Sequence, residues 1–476
     1  MRQSKCVSEK ELEVFKLFSE ALSINLPQYK TVKKKKTLNQ ATDEELIIAK
    51  TILIKNIYDI RDTFEIPSIP PPKCDAIEID LAKFRGMEGW FARNEDAKNS
   101  ELIFEGRIKK VVEDCRFEDW LLSFHKEGEG EKQNEMLGYL SGKLNKGEKK
   151  IVSGYSYWGI GPTNAWNLAC HDLRYIVMKR SIDEFPENWM KIYNPFLADK
   201  SYNYVCLGVG TGNKDVSILG SLIEKHPDIK YFPIDMSPEM LHSGTIYVRR
   251  SMTKHLKKNQ IFPLQIDFSK KSNIEKIRNV LDLLVGEEPI IFSLLGNTLA
   301  NFDCDRDLLK ILSEELLKPD DILLLELAKT KAINDVAIKR AEFEYDHKAF
   351  RDFALSSLIQ ATNIDLTNMD EVYRRLEFKA KPEELPNKEI KALKISVCYK
   401  NKSQENQIIR LIDGDSLPFA SNDRIRLYLS RKYTREGIDD LIKYSNLEKL
   451  EKIPMDYPSE NVTFGLELLL LKRLSI

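Results

Sequence analysis

Apolar and polar positions along the chain switch between two periods, and each switch marks an element. Residues 202–207 are a short, mostly apolar run that ends on the turn Gly208-Val-Gly-Thr-Gly212. Asn213-Lys214-Asp215 then open a helix of period 3.6, carried by Val216, Ile218, Leu219, Leu222 and Ile223. Further runs predict strands at 229–234, closing on Asp235, and at 262–266, closing on Asp267-Phe268. Two more follow, at 289–295, leading into Gly296-Asn-Thr-Leu-Ala-Asn301, and at 322–327. Strands that alternate with helices predict an α/β fold with a doubly wound parallel sheet, whose ligand lies at the carboxyl ends of the strands. Gly208, Gly212, Asp235, Asp267 and Asn301 all fall there.

The flanks follow other patterns. Amphipathic helices are predicted at 9–22 and 43–63, and Ile66-Pro-Ser-Ile-Pro-Pro-Pro72 forms a stiff link, so 1–72 reads as a helical N-terminal segment. Residues 73–197 read as a mixed, substrate-covering region, with an exposed acidic loop at 127–132 and a helix at 169–180. Within it, Gly154-Tyr-Ser-Tyr-Trp-Gly-Ile-Gly-Pro-Thr-Asn-Ala-Trp166 interleaves aromatics with glycines and matches no regular face. Such a stretch is either a packed connection or a loop that lids a pocket. Tyr155, Tyr157 and Asn164 are its candidate substrate-facing side chains. The core spans 198–360: Asp305 is placed to cap the helix after the fourth strand, and a long helix is expected at 332–358. From 391 the period falls to two. Residues 361–476 therefore read as an inserted α+β substrate unit plus the last core strands.

Composition narrows the classes. The 476 residues carry a formal net charge of −1, so no global basicity points to nucleic acid. Seven scattered cysteines without C-x-x-C argue against a disulfide framework and a zinc site, and suit a reducing compartment. No leader-like apolar segment and no run of about 18 apolar residues is present, which predicts a soluble, cytoplasmic protein without a membrane partner. The six histidines show no metal-binding spacing, and no G-x-S-x-G elbow occurs.

The glycine turn carries the chemistry. Glycines there permit positive φ and close backbone approach of a ligand, and an acid about 20 residues on, Asp235, suits ribose hydroxyls. The spacing is G-x-G-x-G rather than the dinucleotide G-x-G-x-x-G. Asp215 stands at the helix start where a pyrophosphate would sit, unless it merely caps the helix. No phosphate-cradling P-loop is present. S-adenosylmethionine, with a ribose and an adenine but no phosphate, fits better. Gly208, Gly210 and Gly212 would let it approach, Lys214 would take its carboxylate, Asp235 its ribose, and Asp267 and Phe268 its adenine.

These segments also carry a resemblance. Leu207-Gly-Val-Gly-Thr-Gly-Asn-Lys214, Tyr231-Phe-Pro-Ile-Asp-Met-Ser-Pro238, Asp267-Phe268 and Leu295-Gly-Asn-Thr-Leu-Ala-Asn-Phe302 resemble the histidine-specific S-adenosylmethionine-dependent methyltransferases. Leu429-Ser-Arg-Lys-Tyr-Thr434 resembles the late motif of that family. The likeness runs from 202 to the C-terminus and weakens over 164–197. It implies a Rossmann-like methyltransferase sheet, donor contacts from Gly208, Lys214, Asp235, Asp267 and Phe268, and an amino-acid-carboxylate contact from Asn301. The known member trimethylates the histidine α-amine in ergothioneine synthesis, and in the family a glutamate two residues before the late-motif serine reads the imidazole. Here Tyr428 stands in that place, before Ser430, and the family's tyrosine after the fifth strand falls on Ile333. The donor half is kept and the substrate half altered.

The expectation is an N-methyltransferase acting on an amino acid or related small amine other than histidine, with Tyr157 and Tyr428 as candidate catalytic tyrosines and Ser430 in the substrate wall. A peptide or protein acceptor, docked by the N-terminal region, is the alternative, as is a catalytically silent sensor of S-adenosylmethionine.

Overall fold

The computed structural model describes residues 76–80, 121–125, 129–364, 366–459 and 462–474. The helices expected at 9–22 and 43–63 and the proline link at 66–72 lie outside them. The described residues belong to two units, one holding the chain up to 127 with 257–264 and 282–286, the other 128–256, 265–281 and 287–476. In the first, β1 (Ala76–Asp80) pairs in parallel with β2 (Leu121–His125), Ala76 opposite Leu121 and Asp80 opposite His125.

The second unit opens with α1 (Glu129–Leu140), which replaces the acidic loop expected at 127–132. Lys132 makes the difference, since its side chain is buried and donates to Met236 O at 3.0 Å. After β3 (Lys149–Lys150) and a 3₁₀ turn at Ser153–Tyr157 comes α2 (Ile160–Ala169). The glycine-aromatic stretch therefore does hold a helix, hidden in sequence by Gly159, Gly161 and Pro162. The helix expected at 169–180 starts later, as α3 (Ile176–Asp183), followed by α4 (Phe185–Phe196).

The core then alternates as expected: β4 (Asn203–Leu207), α5 (Asn213–Lys225), β5 (Tyr231–Asp235), α6 (Pro238–Ser251), β6 (Leu264–Gln265), α7 (Lys271–Leu284), β7 (Ile290–Leu294), α8 (Asp305–Ile311) and β8 (Ile322–Thr330). β4 pairs in parallel with β5 on one side and β7 on the other, and β7 pairs in parallel with β8. The chain thus reverses its direction of travel across the sheet at β4. Tyr204 to Leu207 and Ile290 to Leu294 are buried throughout, as strands covered on both faces must be.

The helix expected at 332–358 breaks into α9 (Asp335–Tyr345) and α10 (Lys348–Ala361). Asp346 and His347 leave helical geometry, at φ −86°, ψ 65° and φ −134°, ψ 162°. The break turns Tyr345, Phe350 and Phe353 into one buried cluster. Beyond α11 (Met369–Arg374), β9 (Leu376–Glu384) and β10 (Ile390–Lys400) pair antiparallel; β11 (Gln407–Arg410) and β12 (Ser416–Phe419) form a separate hairpin. β13 (Arg424–Tyr433) joins β10 to the core sheet, meeting β8 in parallel where Tyr433 lies opposite Lys329. After α12 (Arg435–Tyr444), β14 (Leu447–Ser459) and β15 (Val462–Arg473) close the chain, β15 antiparallel to β8. Asp305 is not a cap: it is the first residue of α8, and its carboxylate accepts from Lys391 Nζ at 2.7 Å and Tyr433 Oη at 2.6 Å.

Candidate active site

The carboxyl ends of β4, β5 and β7, with Asp267 and Phe268 just after β6, open onto one cavity. Its wall includes Gly208, Gly210, Gly212, Lys214, Asp235, Asp267, Phe268, Asn301 and Tyr157. Gly208, Gly210 and Gly212 have φ of 81°, 54° and 75°, conformations that glycine adopts without strain. A Cβ on Gly212 would lie 2.8 Å from Gly244 O, so α6 can pack on the turn only because no side chain intervenes. Asp215 neither caps α5 nor faces solvent; Tyr204 Oη donates to its carboxylate at 2.6 Å.

Asp235 ends β5 and accepts from Ser237 N–H at 2.9 Å. Burial pushes its pKa up to about 7, against hydrogen bonds from the Ser237, Met236 and Gly210 backbone and the charge of Lys132. Asp267 accepts from Ser269 N–H at 2.9 Å and Ser269 Oγ at 2.6 Å. The Phe268 ring beside it stands edge-on to Phe302, centroids 5.8 Å apart. Lys214 also lines the cavity, yet its ammonium is paired with the buried carboxylate of Glu326, which accepts from Gly296 N–H at 2.7 Å as well.

Distant elements build the other side. Asn301 Nδ2 donates to Tyr157 Oη at 3.3 Å, and Tyr428 Oη donates to Asn301 Oδ1 at 3.1 Å. Tyr157 packs against Trp166 and Phe353, centroids 5.2 Å from each. Burial raises the pKa of both phenols, to about 12 for Tyr428 and well above the ordinary value for Tyr157, so near neutral pH each is a hydrogen-bonding hydroxyl rather than a phenolate. Arg431, 1% exposed, holds the loop that carries Asn301. Its Nη1 donates to Ala300 O at 3.1 Å and Phe302 O at 2.6 Å, and its Nε to Glu383 at 2.6 Å.

The remaining sequence candidates stand off the cavity wall. Asn164 is exposed on the outer side of α2, because the helical period that turns Trp166 to the cavity turns Asn164 away. Tyr155 is buried against Trp158 and borders a separate neighbouring cavity with Glu135 and Lys270. Ser430 lies wholly buried, accepting from Tyr345 Oη and Asn297 Nδ2, each at 3.3 Å. Tyr428 stands behind the wall and touches two of its residues, Asn301 and Tyr157, and Ile333 is half-buried before α9. Arg431, Glu326, Lys132 and Tyr345 escaped the sequence reading. Of these only Glu326 carried a signal, as an ionisable residue inside the apolar run Leu-Leu-Leu-Glu-Leu.

The family profile described as "Histidine-specific methyltransferase, SAM-dependent" matches residues 140–457, more than half of the chain. The chain belongs to this family. It is an S-adenosylmethionine-dependent methyltransferase with a Rossmann-like core. No curated relative matches it. Among solved structures, it is similar to an S-adenosylmethionine-dependent methyltransferase from Clostridium acetobutylicum, at 14% identity and a TM-score of 0.33, over 66% of this chain and 98% of that one. It is also similar to the Burkholderia thailandensis 1,6-didemethyltoxoflavin-N1-methyltransferase, at 9% identity and a TM-score of 0.31, over 68% and 93%. Among the described residues no helix of the methyltransferase is long and apolar enough to cross a membrane.

The cavity's donor set suits the sulfonium cofactor. Lys214 is the one basic side chain among the described residues lining it, and it is shared with Glu326, so the several charges of a diphosphate would meet a single cation where the one carboxylate of the donor needs no more. Asp235 and Asp267 stand in the same wall, acceptors for hydroxyl and amine donors that, once Asp235 ionises, disfavour a phosphate.

Proposed function

We propose that this methyltransferase acts on the nitrogen of an amino acid or related small amine other than histidine, and that Gly208, Gly210, Gly212, Lys214, Asp235, Asp267 and Phe268 hold the donor. The observation that carries the reading is Tyr428: where the family resemblance puts an imidazole-reading carboxylate, this chain has a neutral phenol turned to Asn301. Beside Asn301 the wall is Tyr157 and Trp166, which supports an acceptor with an uncharged body.

S-adenosylmethionine supplies a methyl group already activated on a positive sulfur. What remains for the protein is alignment and exclusion of water. Asp235 would accept hydrogen bonds from the ribose, Asp267 and Phe268 would seat the adenine, and Asn301 and Tyr157 would orient the acceptor. An amine attacks only in its neutral form. The Tyr157 and Tyr428 hydroxyls are held protonated by burial, so their part is orientation. The apolar surroundings of Tyr157, Trp166 and Phe353 favour the neutral amine by penalising its charged form.

Release of S-adenosylhomocysteine, measured over a panel of histidine, other amino acids, small amines and peptides, tests the reading. Turnover is expected with a small amine and not with histidine. Turnover with histidine alone would overturn the acceptor assignment, turnover with peptides alone would favour a docked macromolecular acceptor, and silence with every acceptor a sensor.

A further inference from the structure

The two ends of the Asn301 carboxamide face different partners. Tyr428 donates to Oδ1 at 3.1 Å, and Nδ2 donates to Tyr157 Oη at 3.3 Å. A carboxamide has one accepting oxygen and a nitrogen with two hydrogens. With Tyr428 on the oxygen, the nitrogen keeps one hydrogen beyond the one it gives to Tyr157. Tyr428 is itself 3% exposed and is not among the residues that line the cavity. Its ring is fixed by edge-on contacts to Phe350 and Phe353, centroids 5.1 and 5.8 Å away.

The backbone of Asn301 is anchored separately. Ser153 Oγ donates to Asn301 O, and Arg431 takes the carbonyls of Ala300 and Phe302 on either side. Loop position and amide orientation are therefore set by different residues, and the second can be removed without the first.

We infer that Tyr428 is a positioning residue, acting on the acceptor through the Asn301 amide and presenting Nδ2 to an oxygen of the acceptor. This rests on the proposed methyl transfer to a small amine. Without the Tyr428 hydroxyl the amide can turn over, bring Oδ1 into the cavity and repel the oxygen that Nδ2 had bound. The Tyr428 proton stays on its oxygen throughout, so no proton of the reaction passes through it.

Kinetics and crystal structures of Tyr428→Phe, Asn301→Ala and the double variant test this, with the best acceptor of the amine panel. Tyr428→Phe is expected to raise the acceptor KM about 3- to 10-fold, the loss of one hydrogen bond. The S-adenosylmethionine KM and the shape of the pH profile of kcat/KM should not change. In the Asn301→Ala background the same substitution should have no further effect. In crystals of Tyr428→Phe, the Asn301 side chain should leave Tyr157 while Arg431 keeps the Ala300 and Phe302 carbonyls. A fall in kcat of about 100-fold with loss of a limb of the pH profile would make Tyr428 a proton-transfer group and overturn the inference. An unmoved Asn301 amide would overturn it equally. If the unaltered protein fails to bind S-adenosylhomocysteine, the methyl-transfer reading fails instead, and the crystals still decide what holds the amide.

Discussion

The two sides of the cavity are made in different ways. The side proposed for the donor is mainly backbone and strand ends: three glycines at positive φ, and carboxylates placed where β5 and β6 stop. The side proposed for the acceptor is side chain throughout, with Tyr157 from a 3₁₀ turn, Trp166 from α2 and Asn301 in the wall, backed by Phe353 from α10 and Tyr428 from β13. The donor side is fixed by where strands end, and the acceptor side by which side chains fill the space above. A fold can keep the first and revise the second residue by residue, which is how a family shares a donor and differs in acceptors.

The largest test removes what anchors the loop of Asn301. Arg431→Met would strip the carbonyl contacts to Ala300 and Phe302 and leave the Glu383 carboxylate without its guanidinium. Glu383 is 22% exposed and keeps Lys394 Nζ at 3.4 Å, so the loss is that of hydrogen bonds to a buried guanidinium, about 2–4 kcal/mol. Thermal denaturation should show a marked fall in Tm, with acceptor KM raised in whatever remains folded. An unchanged Tm would mean that the loop holds itself.

Asp235→Ala comes next and separates the sides. Charge-assisted hydrogen bonds to the ribose are worth about 1.5–3 kcal/mol, so donor affinity should fall roughly 10- to 150-fold by calorimetry. The pKa of about 7 gives this a pH signature. Below pH 7 the Asp235 carboxyl is protonated in the free protein and must lose that proton to accept from the ribose. Donor affinity should therefore rise from pH 6 to pH 8, with proton release near pH 6.5. The sign for stability is opposite: a carboxyl whose folded pKa is raised destabilises the fold as pH climbs above its unfolded value near 4. Asp235→Asn should thus raise Tm at pH 8 more than at pH 4, and flatten the affinity profile. A steep profile in that variant would assign the proton to another group.

The smallest expected effect is Asn164→Ala. The side chain is exposed on α2 and outside the cavity wall, so acceptor kinetics should match the unaltered protein. A raised acceptor KM would mean that the acceptor extends over the outer side of α2.

The same asymmetry decides what could be read from the sequence. That the glycine turn, Asp235 and Asp267-Phe268 share one wall was legible because each is local: a buried run stops and the next residue faces the cavity. Tyr428 and Asn301 lie 127 residues apart, and nothing in either segment announces the hydrogen bond between them. The acceptor candidates Asn164 and Tyr155 came from treating 154–166 as an irregular loop, because glycines and a proline masked the period of α2. Once Ile160–Ala169 is a helix, Trp166 faces in and Asn164 faces out. The break between α9 and α10 was hidden for a similar reason. Apolar residues recur at helical spacing on both sides of Asp346, and only tertiary packing of Tyr345 and Phe350 selects the bend.

The separability of the two sides is tested most directly by calorimetric titration of S-adenosylhomocysteine into the unaltered protein, Asp235→Ala and Asn301→Ala. The unaltered protein and Asn301→Ala should bind with the same affinity, and Asp235→Ala should bind far more weakly. Equal binding by Asp235→Ala, or a matching loss in Asn301→Ala, would contradict a donor site built independently of the acceptor wall.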